Sequence, residues 1–271
     1  MVFHIITIFP EMIRGYLEYG ILSRAMKKDL VQVVVHDLRE FALNRYGQID
    51  DKIFGSGKGM LFRPEPLAEA IRGILEKEPE AKVIHLTPQG GAFDNKKAKR
   101  ISKEKSVILI ASRYEGIDER IVESLVDEEI SVGDYVLTGG ELPALAVVDA
   151  ATRFIDGAIQ ESSADLESFE NGLLEHGHYT RPEEFEGMKV PEVLRKGNHR
   201  DIEEYRRYGS LRKTYFNRPE LLLDHGPVLD PGSTADPVKA LKRTNGQLRD
   251  YLKEIEKISK EWIYVRRNSE D

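Results

Sequence analysis

Short apolar runs alternate with helical segments throughout residues 1–155 of the chain. Five runs are rich in apolar and β-branched side chains and are typical of strands: Val2–Phe9, Leu30–Val35, Val83–Leu86, Val107–Ala111 and Glu129–Val132. Four intervening segments have apolar residues at helical spacing: Glu11–Lys28, Pro66–Glu76, Asp118–Val126 and Glu141–Phe154. Strands that alternate with helices in this way pair in parallel. The sequence therefore predicts an α/β domain with a mostly parallel sheet.

The pattern changes after residue 155. Asp156–Asn171 is polar and acidic, as is typical of a linker or a mobile loop. Beyond it, three short helices are predicted, with breaks at Gly197, Gly209 and Pro219: Val190–Lys196, Arg200–Tyr208 and Leu211–Phe216. A longer helix is predicted from Asp236 onward, with apolar residues along one stripe. We therefore expect a second, smaller domain that is all helical.

The composition limits the compartment and the kinds of site. The chain has no cysteine, which excludes disulfides and thiolate metal sites. No apolar run approaches the roughly 20 residues that span a bilayer. Met1–Pro10 lacks the basic stretch and the cleavage site of a signal peptide. We therefore expect a cytoplasmic protein without a membrane segment.

Charge is distributed unevenly along the chain. The net charge is −7, which by itself disfavours contact with nucleic-acid phosphates. Between Arg195 and Arg218, however, eight Lys and Arg residues stand against three acidic residues. Such a local basic face is compatible either with RNA binding at one surface or with an ordinary solvated helix face.

Three glycine-containing loops follow three of the predicted strands: Leu86–Gly91, Ser112–Arg120 and Val132–Pro143. In an open α/β sheet, ligands bind outside the carboxyl ends of the strands. Glycine lets the backbone come close to a ligand, and Tyr135 and Leu137 supply apolar walls. Each loop alone is equally compatible with a simple turn. Together they predict a pocket that recognises its ligand through backbone groups.

Common nucleotide-binding and hydrolase patterns are missing. The first strand runs into Phe9–Met12 rather than into G-x-G-x-x-G, and Gly55–Met60 lacks the spacing and the Ser/Thr of a phosphate loop. No G-x-S-x-G elbow occurs. The sequence therefore disfavours a dinucleotide enzyme, a P-loop enzyme and an α/β hydrolase.

Six stretches of the chain, in this order, resemble the bacterial tRNA (guanine-N1)-methyltransferase family. They are Ile8–Met12, Asp50–Asp51 together with Phe54–Met60, Thr87–Gly90, Arg113–Arg120, Gly133–Pro143 and His178–Pro182. The motifs are long, and the resemblance extends from residue 1 to about Leu223. It implies transfer of a methyl group from S-adenosylmethionine to N1 of the guanine at position 37 of tRNA, immediately 3′ of the anticodon.

The resemblance also implies an architecture. Residues 1–160 would form an α/β cofactor-binding domain with a SPOUT-like trefoil knot at the carboxyl end of its sheet. Residues 161–180 would be a flexible interdomain linker. Residues 181–271 would be a helical tRNA-binding domain with an extra tail helix. The chain would work as a homodimer whose active sites are shared between the subunits.

By resemblance, S-adenosylmethionine binds in the knot and is held by the three loops. The implied contacts are Leu86, Thr87, Pro88, Gln89, Ser112, Tyr114, Glu115, Gly116, Val132, Gly133, Asp134, Tyr135, Val136, Leu137, Gly139, Gly140 and Pro143. The family usually has glycine at the position of Ser112. This side chain therefore either crowds the cofactor or offers it a hydrogen bond.

Methylation at N1 of guanine demands two functional groups. N1 carries a proton that a general base must remove, and the charge that spreads toward O6 calls for a cation or a donor. The essential arginine of the family falls at Arg153. The family aspartate directly precedes Ser-Phe, where this chain has Glu167, with Asp165 two residues earlier. We expect Glu167 to be the base and keep Asp165 as the alternative.

Aromatic and cationic side chains hold unstacked bases and phosphates of RNA. The candidates by charge and resemblance are Asp50, Lys58, His178, Tyr179, Arg181, Asn198, His199, Tyr205, Arg206, Arg212, Lys213 and Arg218. The resemblance links the reaction to Mg²⁺, with Glu115 as the candidate contact. His176 and His178 alone would make a weak metal site.

Two other functions remain open on the sequence. The chain either is a related knotted methyltransferase that acts on the ribose 2′-hydroxyl or on rRNA, or it is a non-catalytic RNA-binding module. The departures at Ser112 and Glu167 are the reason to keep the second alternative.

Overall fold

The computed structural model describes residues 1–55, 59–159, 167–170 and 172–222. The chain divides into two compact units, Met1–Ser162 and Ser163–Asp271, which we call the N-terminal and C-terminal units. The elements of the N-terminal unit are β1 (Val2–Thr7), α1 (Pro10–Leu17), α2 (Gly20–Lys27), β2 (Gln32–Asp37), a 3-10 helix (Leu38–Phe41), β3 (Asp50–Lys52), β4 (Met60–Phe62), α3 (Pro64–Leu75), β5 (Lys82–Ala92), α4 (Asn95–Ile101), β6 (Ser106–Ile110), α5 (Glu119–Leu125), β7 (Glu128–Ser131) and α6 (Glu141–Thr152). Those of the C-terminal unit are β8 (Glu184–Phe185), β9 (Met188–Lys189), α7 (Glu192–Lys196) and α8 (His199–Asn217).

A five-stranded sheet forms the centre of the N-terminal unit, with strand order β2-β1-β6-β5-β7 and parallel pairing throughout. This arrangement confirms the predicted α/β class and the parallel sheet. Strand β6, Ser106–Ile110, is buried along its whole length, as expected of a central strand that is covered on both faces. The order brings β6, β5 and β7 side by side, so that their carboxyl ends are neighbours.

Helices cover the sheet on both faces because the side chains of each strand alternate between the two sides. Phe3 and Ile5 of β1 pack with α1, α2, α4 and α6. Ile6 packs on the opposite face, with α3 and α5. Leu67 and Ile71 of α3 are fully buried in that second cluster. The N-terminal unit is therefore a three-layer structure.

Two local predictions for the N-terminal unit were wrong or incomplete. The predicted single helix Glu11–Lys28 is two helices, because Tyr19 has an extended backbone with φ −123° and ψ 162°. The antiparallel hairpin of β3 and β4 was not predicted, although it pairs Asp50 with Phe62. Its strands have three residues each, which is too short for an alternating pattern to be visible.

The C-terminal unit differs from the all-helical domain that was predicted. Glu186 and Gly187 both have positive φ, which suits the tight turn of a hairpin, and they connect β8 to β9. Helix α8 also runs without a break through Gly209, contrary to the predicted split. A glycine inside a helix costs only about 1 kcal/mol, and packing of Leu211 with Leu222 offsets that cost.

The remaining predictions for the tail concern residues outside the described ones. The helix expected after Asp236 lies in this part of the chain. Within the described ranges, no helix combines the length and the apolar character needed to cross a bilayer.

Candidate active site

A cavity of about 330 Å³ lies at the carboxyl ends of β5, β6 and β7. Its wall is formed by Leu86, Thr87, Pro88, Gln89, Ser112, Arg113, Tyr114, Glu115, Gly116, Ile130, Ser131, Val132, Gly133, Tyr135, Val136, Leu137, Gly139, Gly140 and Pro143. The three segments that the sequence singled out therefore meet at one place. The first of them, Leu86–Gly91, was predicted as a loop but is part of β5, whose pairing with β7 is irregular between Leu86 and Gly91. The volume falls within the range of small-molecule sites.

Every residue predicted to contact the cofactor lines this cavity except Asp134, whose side chain is exposed. Three lining residues were missed: Arg113, Ile130 and Ser131. Ile130 and Ser131 are the last two residues of β7, so the rule that ligands bind at carboxyl ends of strands could have identified them. Arg113 lies inside the second of the predicted loops.

The backbones of two loops approach each other closely at Gly140. Its amide donates to the Ser112 carbonyl at 2.8 Å. A Cβ at this position would come within 2.6 Å of the Ala111 Cα, a contact that fixed backbone atoms do not permit. Glycine is therefore required at residue 140 by contact rather than by backbone angles, since its φ is −82°.

Arg113 is fixed by several partners within the N-terminal unit. Its Nε lies 2.9 Å from Glu141 Oε2 and its Nη1 donates to the Thr138 carbonyl at 3.1 Å. Its guanidinium also lies 4.7 Å from the centre of the Phe9 ring, a cation–π contact. This cation at the cavity wall is therefore already paired with an anion of the protein.

Glu129, His85 and Ser112 form a chain of hydrogen-bonded side chains that ends at the cavity wall. The His85 ring lies 2.9 Å from Glu129 Oε1 through Nδ1 and 3.1 Å from Ser112 Oγ through Nε2. Burial lowers the pKa of His85, and the neighbouring Glu129 opposes that shift. His85 is therefore neutral at neutral pH, and Ser112 is its contact with the cavity.

The β3–β4 hairpin is tied to the second cavity loop. The Glu115 amide donates to the Met60 carbonyl at 3.0 Å, and the Tyr114 ring meets Phe62 edge-on at 5.8 Å. Asp50 lies in β3 and is half-buried, whereas Lys58 lies outside the described residues. In the described part of the chain, no three His, Asp or Glu side chains are grouped as metal ligands.

Arg153 lies at the C-terminal end of α6 and is half-buried. The first turn of the same helix, at Gly140 and Pro143, lines the cavity. At about 1.5 Å of rise per residue, the two ends of the helix are about 20 Å apart. The backbone of Arg153 therefore lies at the end of α6 away from the cavity.

Of the two candidate bases, the structure describes one. Glu167 is half-buried in the C-terminal unit, and Asp165 lies outside the described residues. The following Phe169 has a φ of +77°, and its amide donates to the Leu173 carbonyl at 2.8 Å. Glu167 therefore enters a tight turn of the chain.

Several candidate RNA contacts are close together in the C-terminal unit. The Tyr205 hydroxyl donates to the Tyr179 hydroxyl at 3.5 Å. Burial and this contact raise the pKa of Tyr205 to about 12, so it is a neutral donor. His178 Nε2 lies 2.6 Å from Glu175 Oε1. Neutral aromatic donors of this kind suit a base that is stacked outside its helix.

The other candidates on this unit are mostly exposed. Asn198 begins α8, and its side chain accepts from the Asp201 amide. The Arg212 guanidinium lies 5.7 Å from the centre of the Phe216 ring. Exposed side chains among the predicted RNA contacts are His178, Tyr179, Arg181, Asn198, His199, Arg206, Lys213 and Arg218.

A family model described as tRNA (Guanine-1)-methyltransferase TrmD matches residues 1–224. The chain belongs to this methyltransferase family. The match confirms the resemblance that the six motifs indicated, together with its extent. It covers all the described residues of both units, whereas residues 225–271 lie beyond it.

Individual tRNA (guanine-1)-methyltransferases agree with the family match. A relative from Desulfatibacillum aliphaticivorans is 48% identical over 223 residues, which cover 82% of this chain and 85% of the relative. One from Bacillus subtilis (strain 168) is 46% identical over 222 residues, 81% and 91% of the two chains. One from Clostridioides difficile (strain 630) is 46% identical over 224 residues, 82% and 97%. All three are named tRNA (guanine-N(1)-)-methyltransferase.

Membership of the tRNA (guanine-1)-methyltransferase family identifies the chain as an enzyme. It disfavours the non-catalytic RNA-binding module. The names of the relatives specify N1 of guanine in tRNA, which disfavours a ribose or an rRNA target.

Proposed function

We propose that this chain transfers a methyl group from S-adenosylmethionine to N1 of the guanine immediately 3′ of the anticodon of tRNA. The supporting observation is the cavity at the ends of β5, β6 and β7, whose wall consists of the loops that carry the family motifs. When bound, S-adenosylmethionine supplies an electrophilic methyl group on sulfur.

The lining of the cavity fits an adenosyl group better than a phosphorylated nucleotide. Its apolar wall includes Leu86, Ile130 and Leu137, which suit a neutral base. Arg113, a cation at this wall, is paired with Glu141 at 2.9 Å. Phosphates would compete with that carboxylate for the guanidinium. The residues therefore favour a cofactor without phosphate.

The proton of guanine N1 leaves to a carboxylate, which we assign to Glu167, with Asp165 as the alternative. Arg153 then faces O6 and stabilises the negative charge that develops there. The remaining contribution is orientation of N1 in line with the methyl group. The proposed base lies in the C-terminal unit and the arginine in the N-terminal unit.

The position of Arg153 supports the proposal of a homodimer with shared sites. Because α6 separates the backbone of Arg153 from the cavity turn at Gly140 by about 20 Å, we propose that a second copy supplies the cation. An apolar patch on the surface beside α6 is suited to such contact: Phe9, Met12, Tyr16, Tyr19 and Leu142 are 41–73% exposed. Tyr16 links this patch to α6 through a hydrogen bond of its hydroxyl to Asp149 at 2.6 Å.

We also infer that the cavity loops form a SPOUT-like trefoil knot. Two close backbone approaches support this inference. Gly140 donates to Ser112, and a Cβ at Gly90 would lie 2.4 Å from the Ile130 nitrogen. Strand β5 also pairs with Ile130 twice, through Leu86 and again through Gly91. These close approaches are consistent with one loop threading past the others, as a knot requires.

The basic face of α8 and the Tyr179–Tyr205 pair are the proposed tRNA surface, supported by their exposure and charge. We expect the enzyme to work in the cytoplasm, where tRNA is modified. Glu115 would be a single carboxylate for Mg²⁺, which is typical of a site completed by substrate phosphates.

The decisive experiment is methyl transfer to an unmodified tRNA transcript that carries guanine 3′ of the anticodon. Incubation with S-adenosylmethionine labelled in its methyl group should yield one labelled base, identified as N1-methylguanine after digestion. A transcript with adenine at that position is the matched control and should stay unlabelled. A label on ribose, or no label on either transcript, would contradict the proposal.

A further inference from the structure

Glu129, His85 and Ser112 form a continuous hydrogen-bonded chain that the proposed reaction does not use. The two bonds measure 2.9 Å and 3.1 Å. His85 is 4% exposed and Ser112 is 8% exposed. Ser112 is the member of the chain that belongs to the cavity wall, and its carbonyl accepts from the Gly140 amide. The chain therefore leads from the partly exposed Glu129 to the place where the cofactor is expected.

The direction of each hydrogen bond follows from the chemistry of the three groups. A carboxylate only accepts, so His85 Nδ1 carries the proton that is donated to Glu129. Because burial lowers the pKa of His85, the ring is neutral and its Nε2 is an acceptor. The hydroxyl of Ser112 must then donate its one proton to Nε2. The oxygen of Ser112 keeps its lone pairs for the cavity.

We propose that Ser112 Oγ is a fixed hydrogen-bond acceptor for a neutral donor of the adenosyl group, and that His85 and Glu129 are positioning residues for it. The inference rests on the proposed function, because it assumes an adenosyl ligand in the cavity. It goes beyond that function by assigning a recognition role to a side chain that replaces the usual glycine of the family.

The apolar part of the cavity wall selects the kind of donor. Leu86 and Ile130, which also line the cavity, are 3% and 0% exposed. Burial of a charged ammonium among such side chains costs far more than burial of a neutral group. The matching donors are therefore the adenine amine and the ribose hydroxyls, not the ammonium of the methionine portion.

The first test is the affinity for S-adenosylhomocysteine, measured by calorimetry. Ser112→Ala leaves the ligand donor buried without an acceptor, for which we expect about 10-fold weaker binding. Ser102→Ala is the matched control, because the Ser102 hydroxyl donates to the Lys99 carbonyl on the surface. Thermal unfolding of each variant shows whether the fold is intact.

If His85 positions the Ser112 hydroxyl, the effects of substituting His85 and Ser112 on binding should not be additive. A role of His85 in packing alone would leave the two effects additive. His85→Phe keeps an aromatic ring in the buried place but releases the Ser112 hydroxyl, which can then rotate. We expect binding about 3-fold weaker than in the unchanged protein, and only about a 3-fold further loss when Ser112→Ala is added. A full 10-fold loss from Ser112→Ala in both backgrounds would overturn the role of His85.

Analogues of S-adenosylhomocysteine identify the donor group of the ligand. They also separate the acceptor role of Ser112 from the proposed function of the chain. S-inosylhomocysteine lacks the adenine amine, and the 2′-deoxy and 3′-deoxy forms of S-adenosylhomocysteine each lack one ribose hydroxyl. The analogue without the relevant donor should bind the unchanged protein weakly but lose no further affinity on Ser112→Ala. If Ser112→Ala binds all four ligands as the unchanged protein does, the acceptor role is overturned while the proposed function stands. If the unchanged protein binds none of them, both fail.

Discussion

The Arg113 guanidinium lies 2.9 Å from the carboxylate of Glu141, a side chain that is only 1% exposed. The other oxygen of Glu141 accepts from the Thr7 hydroxyl at 2.9 Å. The pair therefore joins the loop after β6 to the first turn of α6, and both of these segments line the cavity. An ion pair in this position holds two walls of the site at a fixed distance.

We expect Arg113→Ala to lower the free energy of unfolding by about 3 kcal/mol, because it leaves a buried carboxylate without its cation. Urea denaturation measures the loss. Arg120→Ala is the control. The Arg120 side chain, which pairs with Asp118, is 71% exposed, and exposed ion pairs contribute less than about 1 kcal/mol. Equal losses in the two variants would contradict this account of Glu141.

Gly140→Ala should abolish binding of S-adenosylhomocysteine. The added Cβ would lie 2.6 Å from the Ala111 Cα, so the turn has to move away from Ser112 and the cavity has to change shape. Calorimetry reports the binding and thermal unfolding reports the fold. Gly73→Ala is the matched control, because nothing lies within 4 Å of a Cβ there and alanine favours a helix by about 1 kcal/mol. Binding in the Gly140→Ala variant equal to that in Gly73→Ala would refute the contact argument.

The sheet and the cavity could be predicted because their signals are local. Runs such as Val107–Ala111 are apolar on both faces, and the glycine loops directly follow them. The Glu129–His85–Ser112 chain could not be predicted, since its members lie in β7, in β5 and in the loop after β6, which are neighbours only in the folded sheet. Helix α8 was predicted to break at Gly209 because local propensity is visible in a sequence and the packing of Leu211 is not.

The assignment of the general base predicts unequal effects of two amide substitutions. Glu167→Gln should lower kcat for tRNA methylation by about 100-fold or more, because the proton of N1 then has no acceptor. Asp165→Asn should change kcat by less than about 3-fold. Single-turnover methylation with saturating tRNA measures both, and the affinity for S-adenosylhomocysteine should stay unchanged. Near-normal rates in both variants would show that neither Glu167 nor Asp165 is the general base.

The shared site predicts that two inactive chains restore each other. Arg153→Gln should reduce kcat by about 100-fold or more, because the charge at O6 loses its cation. A mixed dimer of Arg153→Gln with Gly140→Ala has one intact cavity that faces one intact arginine. We expect it to recover about half of the normal activity. If each chain used its own Arg153, the purified mixed dimer would stay inactive.

The buried His4 and the half-buried His36 predict that stability depends on pH. Their rings are hydrogen-bonded at 2.9 Å, and His4 also contacts Glu78 at 3.0 Å. Burial, together with His4 and Lys77, lowers the pKa of His36 from 6.5 to about 4. As the pH falls, the unfolded chain therefore takes up a proton at His36 at a higher pH than the folded chain does.

The sign follows from that order of protonation. The contribution of neutral His36 is fully present above pH 6.5 and is lost as the pH falls toward about 4. His36→Gln keeps a donor for His4 but does not titrate, so its free energy of unfolding should fall less than that of the unchanged protein over this interval. His199→Gln serves as the control, because the His199 side chain is 88% exposed. Urea denaturation at several pH values decides the matter: parallel curves for the unchanged protein and His36→Gln would show that His36 titrates alike in both states.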